Sequence, residues 1–470
     1  MIRQIMKVWI CMATLALWSG VQVSAEDFET ATEAVRNMRV GWNLGNTLDS
    51  HSGDTLNMWI EADKNRTVST YEKAWGQPLT KPSLMKMLQQ AGFGAVRVPV
   101  TWYPHMEATF SSVKGYTNAE GKWVYTPWLP SSDFIGTKID PLWMKRVRQV
   151  VDGVMNQGMY CILNIHHDTG ASNVAWLIAD ETVYEQQKER FEAVWRQIAE
   201  EFKDYDERLI FEGYNEMLDV KNSWCFASFA APNQYDSKIA TSAYNAINSY
   251  AQSFVNAVRS TGGNNAQRNL IVSTYGACDG SGNWNPHLKD PLKQMRLPQD
   301  HVENHLIFEV HSYPEVKNLA DAKTHVDCLM EDLNTHLVQK GAPVIIGEWG
   351  TSTHDAYNTY RDNLLAYSTY MVQQAKANDM ATFHWMGLSD GNFRSVPHFN
   401  QPDLKDAIVK GYYGEQGYQS SVASPAVLPK SADVYDLGGT LLFRSVSTQD
   451  LSAHLPRNIY VVNGKKVSVQ

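Results

Sequence analysis

Apolar residues in this chain are concentrated in eight short runs, which are separated by longer segments of mixed character. Near-continuous apolar runs are typical of strands that are covered on both faces, as in a parallel sheet. Each run therefore predicts a buried strand. The runs begin, in chain order, at Met38, Ala95, Tyr160, Leu209, Leu270, Leu306, Pro343 and Ala381.

The segments between the runs carry helical spacing and helix end signals. Asp140 supplies an N-cap before Pro141, a residue favoured at the first helical position, and Gly158 ends the same segment. Strand and helix alternate along the chain, and this alternation predicts an α/β fold, a (β/α)8 TIM barrel. The predicted helices cover residues 82–91, 141–158, 184–202, 243–260 and 360–377.

Two long insertions, at residues 48–81 and 105–138, follow the first and second predicted strands. Barrel enzymes build their sites on this side of the strands, so we expect the insertions to form cleft walls. The predicted catalytic domain covers residues 26–416, and a linker rich in small residues and proline covers 417–432. The last segment, 433–470, has turn signals between short strand patterns and predicts a small β-rich C-terminal module.

The N-terminal residues 1–25 have the pattern of a secretory signal peptide. Arg3 and Lys7 precede an apolar run too short to span a bilayer, and Val23-Ser24-Ala25 forms the predicted cleavage site. No later segment is long and apolar enough to predict a transmembrane helix. The sequence therefore predicts a secreted protein.

The amino-acid composition limits which partners and ligands the protein can bind. The formal net charge is −9 and no run of Lys or Arg occurs, which argues against a nucleic-acid partner. The chain has 15 Trp and 22 Tyr, enough to supply flat platforms for a ligand with apolar faces as well as core. The cysteines match no metal spacing; Cys161 predicts a buried free thiol, and one disulfide among Cys225, Cys278 and Cys328 stays open.

Polar and aromatic residues stand where the predicted strands end. A barrel brings the C-terminal ends of its strands together on one face, although two of the glutamates are remote in sequence. Two carboxyl groups across a cleft suit glycoside hydrolysis, in which one protonates the leaving oxygen and the other attacks the sugar. The residues are Arg97, His166, His167, Asp168, Asn215, Glu216, His311, Tyr313, Glu348 and Trp385.

Seven ordered stretches between residues 41 and 386 give the chain a resemblance to glycoside hydrolase family five, a cellulase family of retaining (β/α)8 enzymes. These are GWNLGNTLD, VRVPVTW, LNIHHD, the pair Asn215-Glu216, VHSY, GEWG and FHWM. Met217 is a departure, because the family usually has proline after the acid/base. That difference leaves the subfamily and the substrate open.

The resemblance implies that Glu216 is the acid/base and Glu348 the nucleophile, with carboxylates about 5–5.5 Å apart. It further implies roles for the residues around them. Arg97 and Tyr313 would support the nucleophile, Asn215 would bind the sugar 2-hydroxyl, His166 and His311 would line the site, and Trp385 would be the sugar platform.

Two other residues are assigned from their positions alone. His167 either contacts sugar or orients its neighbours, and both alternatives stay open. Asn43 either braces the barrel or reaches substrate, and we favour the latter. Both residues are candidates for substrate binding. A metal on His166, His167 and Asp168 is disfavoured, because adjacent strand residues point to opposite faces. We predict no metal site.

The sequence thus predicts a monomeric, cofactor-independent endo-β-1,4-glucanase acting on β-glucan by double displacement. Mannan, xyloglucan, mixed-linkage glucan and xylan are alternative substrates, and an inactive glycan-binding barrel is the alternative outside the enzymes. The C-terminal segment loosely resembles β-modules on exported proteins of some Gram-negative bacteria. That resemblance implies recognition by a secretion or surface-attachment system.

Overall fold

The computed structural model describes most of the chain between Phe28 and Val469. The predicted signal peptide, 1–25, lies outside the described residues, as do large parts of both insertions and most of the predicted linker. The described residues are 28–52, 60, 67–106, 115–117, 123–125, 137–172, 175–229, 234–418, 431–436, 441–447, 455, 458–462 and 465–469.

Eight parallel strands close into a barrel. Each predicted apolar run contributes one of them, so the predicted barrel is confirmed. The strands are β1 (Val40–Asn43), β2 (Ala95–Val98), β5 (Tyr160–Asn164), β6 (Leu209–Glu212), β7 (Leu270–Cys278), β8 (Leu306–Ser312), β9 (Val344–Trp349) and β10 (Ala381–Trp385). Around the barrel they follow the order β1-β10-β9-β8-β7-β6-β5-β2.

Helices lie between the barrel strands, and all five predicted helices are present with ends shifted by a few residues. The N-cap prediction holds, since the Asp140 carboxylate accepts the Leu142 N–H at 2.7 Å. The helices are α1 (Ala31–Met38), α2 (Val68–Glu72), α3 (Pro82–Ala91), α4 (Pro141–Met155), α5 (Glu181–Glu201), α6 (Ser237–Arg259), α7 (Asp290–Gln294), α8 (Leu319–His336), α9 (Ala356–Thr359), α10 (Arg361–Ala377), α11 (Asn392–Ser395) and α12 (Pro402–Tyr413), with 3₁₀ turns at Tyr103–His105, Gly263–Ala266 and Val338–Lys340.

Helix α1, which the sequence analysis did not predict, closes the N-terminal end of the barrel. A capping box of Thr30 and Glu33 starts the helix. Its buried face packs against an apolar layer of inward-facing strand residues, which makes this end of the barrel dry. The layer contains Ala95, Ile162, Ile210, Ile271, Ile307, Ile345, Ala381 and Phe383.

The described parts of the second insertion form a hairpin, β3 (Gly115–Thr117) with β4 (Trp123–Tyr125). The C-terminal segment forms an antiparallel sheet of order β12-β11-β13-β14, which confirms its β-rich character. Its strands are β11 (Ser431–Tyr435), β12 (Leu441–Ser447), β13 (Asn458–Val462) and β14 (Lys465–Val469).

The barrel packing extends past the predicted domain end at residue 416. The ring of Tyr418 packs against that of Tyr413, with centroids 5.0 Å apart, and the Tyr418 side chain lies against Gly92. Tyr418 therefore belongs to the packed barrel and not to a free linker. Among the described residues, no helix has the length and apolar character needed to cross a membrane.

Candidate active site

Arg97 on β2 is the centre of a buried polar layer above the apolar end of the barrel. All five of its N–H groups donate hydrogen bonds, two of them to Glu212 at 2.6 Å each. The others reach Glu348 at 2.7 Å, Asn215 at 2.8 Å and Asn43 at 3.0 Å. Removing one partner from such a buried pair typically costs about 3–5 kcal/mol, so Arg97 fixes its neighbours firmly.

Glu348, the predicted nucleophile, lies one residue before the end of β9 and is held on both carboxylate oxygens. Oε1 accepts from Arg97, and Oε2 accepts the Tyr313 hydroxyl at 2.8 Å. Burial raises the pKa of Glu348 above its usual value, although the positive charges of His311 and Arg97 act in the opposite direction. The carboxylate is therefore rigidly placed, and its ionisation depends on these cationic neighbours.

Glu216, the predicted acid/base, lies four residues beyond the end of β6, and its side chain is 24% exposed. Oxygens of Glu216 and Glu348 lie within 4.8 Å of each other, with a nitrogen of His311 inside the same distance. This spacing is close to the roughly 5–5.5 Å of retaining enzymes and well below the roughly 6.5–9.5 Å of inverting ones. The two remote glutamates therefore do meet across one groove.

His311 bridges the two carboxylates. Its Nδ1 lies 2.8 Å from Glu216 Oε1 and 3.6 Å from Glu348 Oε2. Burial alone would lower the pKa of His311, but the charge of Glu348, the hydrogen bond to Glu216 and the nearby Glu309 carboxylate raise it to about 10. The ring is thus an imidazolium between the acids.

His166 and Trp385 form one wall of the groove. Their rings are parallel within 8°, with centroids 5.7 Å apart, and His166 Nε2 lies 3.9 Å from Glu348 Oε1. Burial lowers the pKa of His166, so the ring is neutral. Asn164 donates to its Nδ1 at 3.0 Å, which leaves the proton on Nε2, facing the groove.

The alternation of side chains along a strand predicted that His167 points away from His166. In the structure the two rings are neighbours. Strand β5 ends at Asn164, so the alternation of strand side chains does not reach these residues, and their rings lie 4.5 Å apart. Donor atoms of His166, His167 and Asp49 lie within 4.8 Å of one another, so the expectation that the two histidines point to opposite faces was wrong. Both Asp49 oxygens, however, accept backbone N–H groups of its own loop.

Asp168 is a brace for a neighbouring loop. Its carboxylate accepts the backbone N–H groups of Trp102 and Tyr103 at 2.8 Å each and the Trp176 indole N–H at 2.7 Å. Asp168 is fully buried. It therefore positions the segment after β2 and does not join His166 and His167.

The prediction that Asn43 reaches substrate was wrong. The side chain is fully buried, and its amide donates to the carbonyls of Gly347 and Phe383 at 2.9 and 3.1 Å. Its oxygen accepts from Arg97. Asn43 therefore ties β1 to its neighbours beneath the groove.

The sequence analysis missed two buried acids, Glu212 and Glu309. Both occupy the fourth position of the string LIFE, which occurs in β6 and again in β8. Glu309 lies 3.3 Å from Arg97 Nε, and a Cβ on Gly347 would lie 1.6 Å from its Oε1. The repeated acidic position inside two apolar strands was the available signal, because an unpaired charge there would be too costly.

A pocket of 330 Å³ adjoins Glu216 and is also lined by His311 and Tyr313. Two exposed aromatic residues line it, Trp224 at 42% and Trp284 at 60% exposure. Cys225 and Cys278 also line it, and the four described cysteines, including buried Cys161, are free thiols. The groove therefore continues past Glu216 with aromatic surface available.

The family model for Cellulase (glycosyl hydrolase family 5) matches residues 59–390. Endoglucanase B of Neocallimastix patriciarum is 31% identical over 403 residues, covering 81% of this chain and 72% of that protein.

Solved structures give the same result. A GH5-4 broad specificity endoglucanase from an uncultured bacterium is 50% identical, with a TM-score of 0.74, covering 84% of this chain and 98% of that one. A family 5 enzyme of Prevotella bryantii, solved with the xyloglucan tetradecasaccharide XXXGXXXG, is 38% identical, with a TM-score of 0.66, covering 82% and 99%. The chain belongs to glycosyl hydrolase family 5 and is a retaining glycoside hydrolase.

Proposed function

We propose that this protein is an endo-β-1,4-glucanase that cleaves internal bonds of β-glucan by double displacement. The observation that carries the proposal is the approach of Glu216 and Glu348 to within 4.8 Å in a groove that is open at Glu216. Relatives named endoglucanases support the glucan assignment.

In the first step, Glu348 attacks the anomeric carbon while Glu216 gives its proton to the leaving oxygen. The bond from the anomeric carbon to that oxygen breaks, and a glycosyl ester forms on Glu348. In the second step, water attacks the anomeric carbon, Glu216 takes the water proton, and the ester bond breaks. Glu216 returns to its protonated state and no cofactor is consumed.

The arrangement of residues along the groove suggests in which direction the glucan binds. The sugar that is attacked lies against Trp385 and beside His166, with Asn215 reaching its 2-hydroxyl. The leaving part of the glucan extends past Glu216 toward Trp224 and Trp284, which offer flat apolar faces. Such an open, two-sided groove suits cleavage within a polymer.

Xyloglucan is the second candidate substrate. The relative from Prevotella bryantii was solved with a xyloglucan oligosaccharide and is 38% identical over nearly its whole length. Side branches need space beside the groove, and the exposed pocket at Trp284 provides it.

The test is a panel of purified polymers: carboxymethylcellulose, mixed-linkage glucan, xyloglucan, mannan and xylan. We expect mixtures of soluble oligosaccharides from the glucans, read by chromatography, and retained anomeric configuration, read by NMR. Release of glucose alone would exclude endo action. Turnover confined to mannan or xylan would replace the glucan assignment.

We also propose that the protein is exported and acts as a monomer. The N-terminal pattern of residues 1–25 supports export. The C-terminal β-sheet is the proposed element for recognition by a secretion or attachment system. N-terminal sequencing of the secreted protein would detect cleavage after Ala25.

A further inference from the structure

Two buried polar atoms beneath Glu216 face each other. Glu309 Oε1 and His311 Nε2 lie 3.5 Å apart, and each is without a conventional hydrogen bond among the described residues. The other ring nitrogen of His311 lies 2.8 Å from Glu216 Oε1. One imidazole thus connects a fully buried carboxylate to the carboxylate in the groove.

Glu309 is fixed in this position from several sides. Its Oε2 accepts the Ser273 hydroxyl at 2.7 Å, and its Oε1 lies 3.3 Å from Arg97 Nε. The absent side chain of Gly347 leaves the space that Oε1 fills. The Oε1 atom of Glu309 is therefore held between Arg97 and His311.

The charged and titratable groups that face His311 come from five strands or strand ends. Glu216, Glu309 and Glu348 are the acids around the ring, and Arg97 and His166 are the nearby basic groups. Burial would raise the pKa of Glu309, but Arg97 and His311 lower it below its ordinary value. An ionised Glu309 and a protonated His311 therefore stabilise each other.

We propose that Glu309 is a positioning residue that, acting through His311, keeps an N–H donor directed at Glu216 in both steps of hydrolysis. The inference rests on the proposed role of Glu216 as acid/base. When Glu216 has given its proton to the leaving oxygen, His311 Nδ1–H donates to the resulting carboxylate. Water later returns a proton to Glu216, and His311 keeps its own proton throughout.

Glu309→Gln tests the proposal, with Glu212→Gln as the matched control. Both changes remove one buried anion next to Arg97, but only Glu309 faces His311. An anion within about 4–6 Å of a histidine raises the pKa of the ring by roughly 1–3 pH units, so losing Glu309 should make His311 give up its proton at lower pH. We expect the alkaline limb of kcat/KM on an aryl β-cellobioside to move down by about one unit or more in E309Q.

The control separates the effect of the Glu309 charge on His311 from a purely structural effect of the substitution. In E212Q the alkaline limb stays at its wild-type position, whatever the change in rate, because His311 keeps both of its carboxylate partners. A purely structural role of Glu309 would lower the rate equally at every pH. An alkaline limb that does not move in E309Q, or moves equally in E212Q, would overturn the proposal.

A titration of the His311 ring gives a readout that needs no turnover and is made on the wild-type protein, with one variant used only to assign the signal. Imidazole ¹⁵N spectra of the wild type, assigned by the signals lost in H311Q, should show protonation persisting well above the ordinary pKa of about 6.5. Titration near that ordinary value would refute the Glu309–His311 pairing. If the His311 ring of the wild type stays protonated well above that value but the protein hydrolyses no β-glucan, the proposed function is refuted and the Glu309–His311 pairing is not.

Discussion

The two predicted catalytic glutamates lie in contrasting surroundings. Glu348 has a side chain 6% exposed and is bound by Arg97 and Tyr313, one on each oxygen. Glu216 is 24% exposed and is bound by the His311 ring. A nucleophile needs a fixed, ionised carboxylate, whereas an acid/base must exchange a proton with substrate and then with water. The difference in exposure therefore matches a difference in task.

Replacing Glu348 with Gly should produce the largest effect. We expect a loss of kcat on the order of 10⁵-fold or more, because removing the attacking group abolishes the covalent route. Arg97 retains Glu212 and Glu309, so the barrel should still fold. The measurement is turnover of soluble glucan, with circular dichroism as the fold control. Near-normal turnover would remove Glu348 from the mechanism.

Replacing Glu216 with Ala should slow different substrates by different amounts, according to how much their leaving group needs a proton. We expect about 10²–10⁴-fold slower cleavage of glucan, because its leaving oxygen needs a proton, and a much smaller loss in the first step on a dinitrophenyl glycoside. Azide, entering the space left by the side chain, should form a β-glycosyl azide. Equal losses on both substrates would contradict an acid role.

Tyr313→Phe sharpens the comparison without removing either acid. The Tyr313 hydroxyl bonds the ionised form of Glu348, so its loss should raise the pKa of that carboxyl. Since Glu348 must be ionised to attack, activity should be lost at a higher pH as the solution is acidified. We expect the acidic limb of kcat/KM to move up by about one unit, while the alkaline limb stays.

Trp284→Ala probes the exposed side of the groove. We expect KM for long glucan oligosaccharides to rise by about tenfold, with kcat/KM on an aryl cellobioside nearly unchanged, because one stacking face is lost. Phe443→Ala, which removes an exposed aromatic ring from the C-terminal sheet, is the control. Equal behaviour of both variants would exclude Trp284 from substrate binding.

Truncation after Tyr418 should have the smallest effect. The cut keeps the contact of Tyr418 with Tyr413 and Gly92 and leaves both glutamates untouched. We expect unchanged kinetics on soluble glucan and an unchanged melting temperature of the barrel. A cut after residue 416 should lower that temperature, because it removes the Tyr418 packing.

The strands were predictable because each is buried on both faces and reads as an apolar run. Helix α1 was not, since its four buried positions are few and the segment follows the predicted signal peptide directly. The ordered strand-end stretches predicted Glu216 and Glu348, and the geometry brings them together as expected.

Position along the sequence could not decide what a polar side chain faces. Asn43 ends a strand, as Trp385 does, yet its amide bonds inward to carbonyls of adjacent strands. His166 and His167 follow the end of β5, where the two-residue alternation no longer applies. The repeated string LIFE marks Glu212 and Glu309 as acids inside apolar strands, but their partner Arg97 lies on another strand and is identified only by the structure.

Gly347 limits how this protein can be engineered. Exchanging glycine for alanine is a common way to stiffen a chain and raise its thermal tolerance. At this position the added methyl group would displace the Glu309 carboxylate, and with it the partner of His311. Libraries that aim at a hardier catalyst should therefore leave Gly347 unvaried, or vary it only together with a shorter residue at position 309.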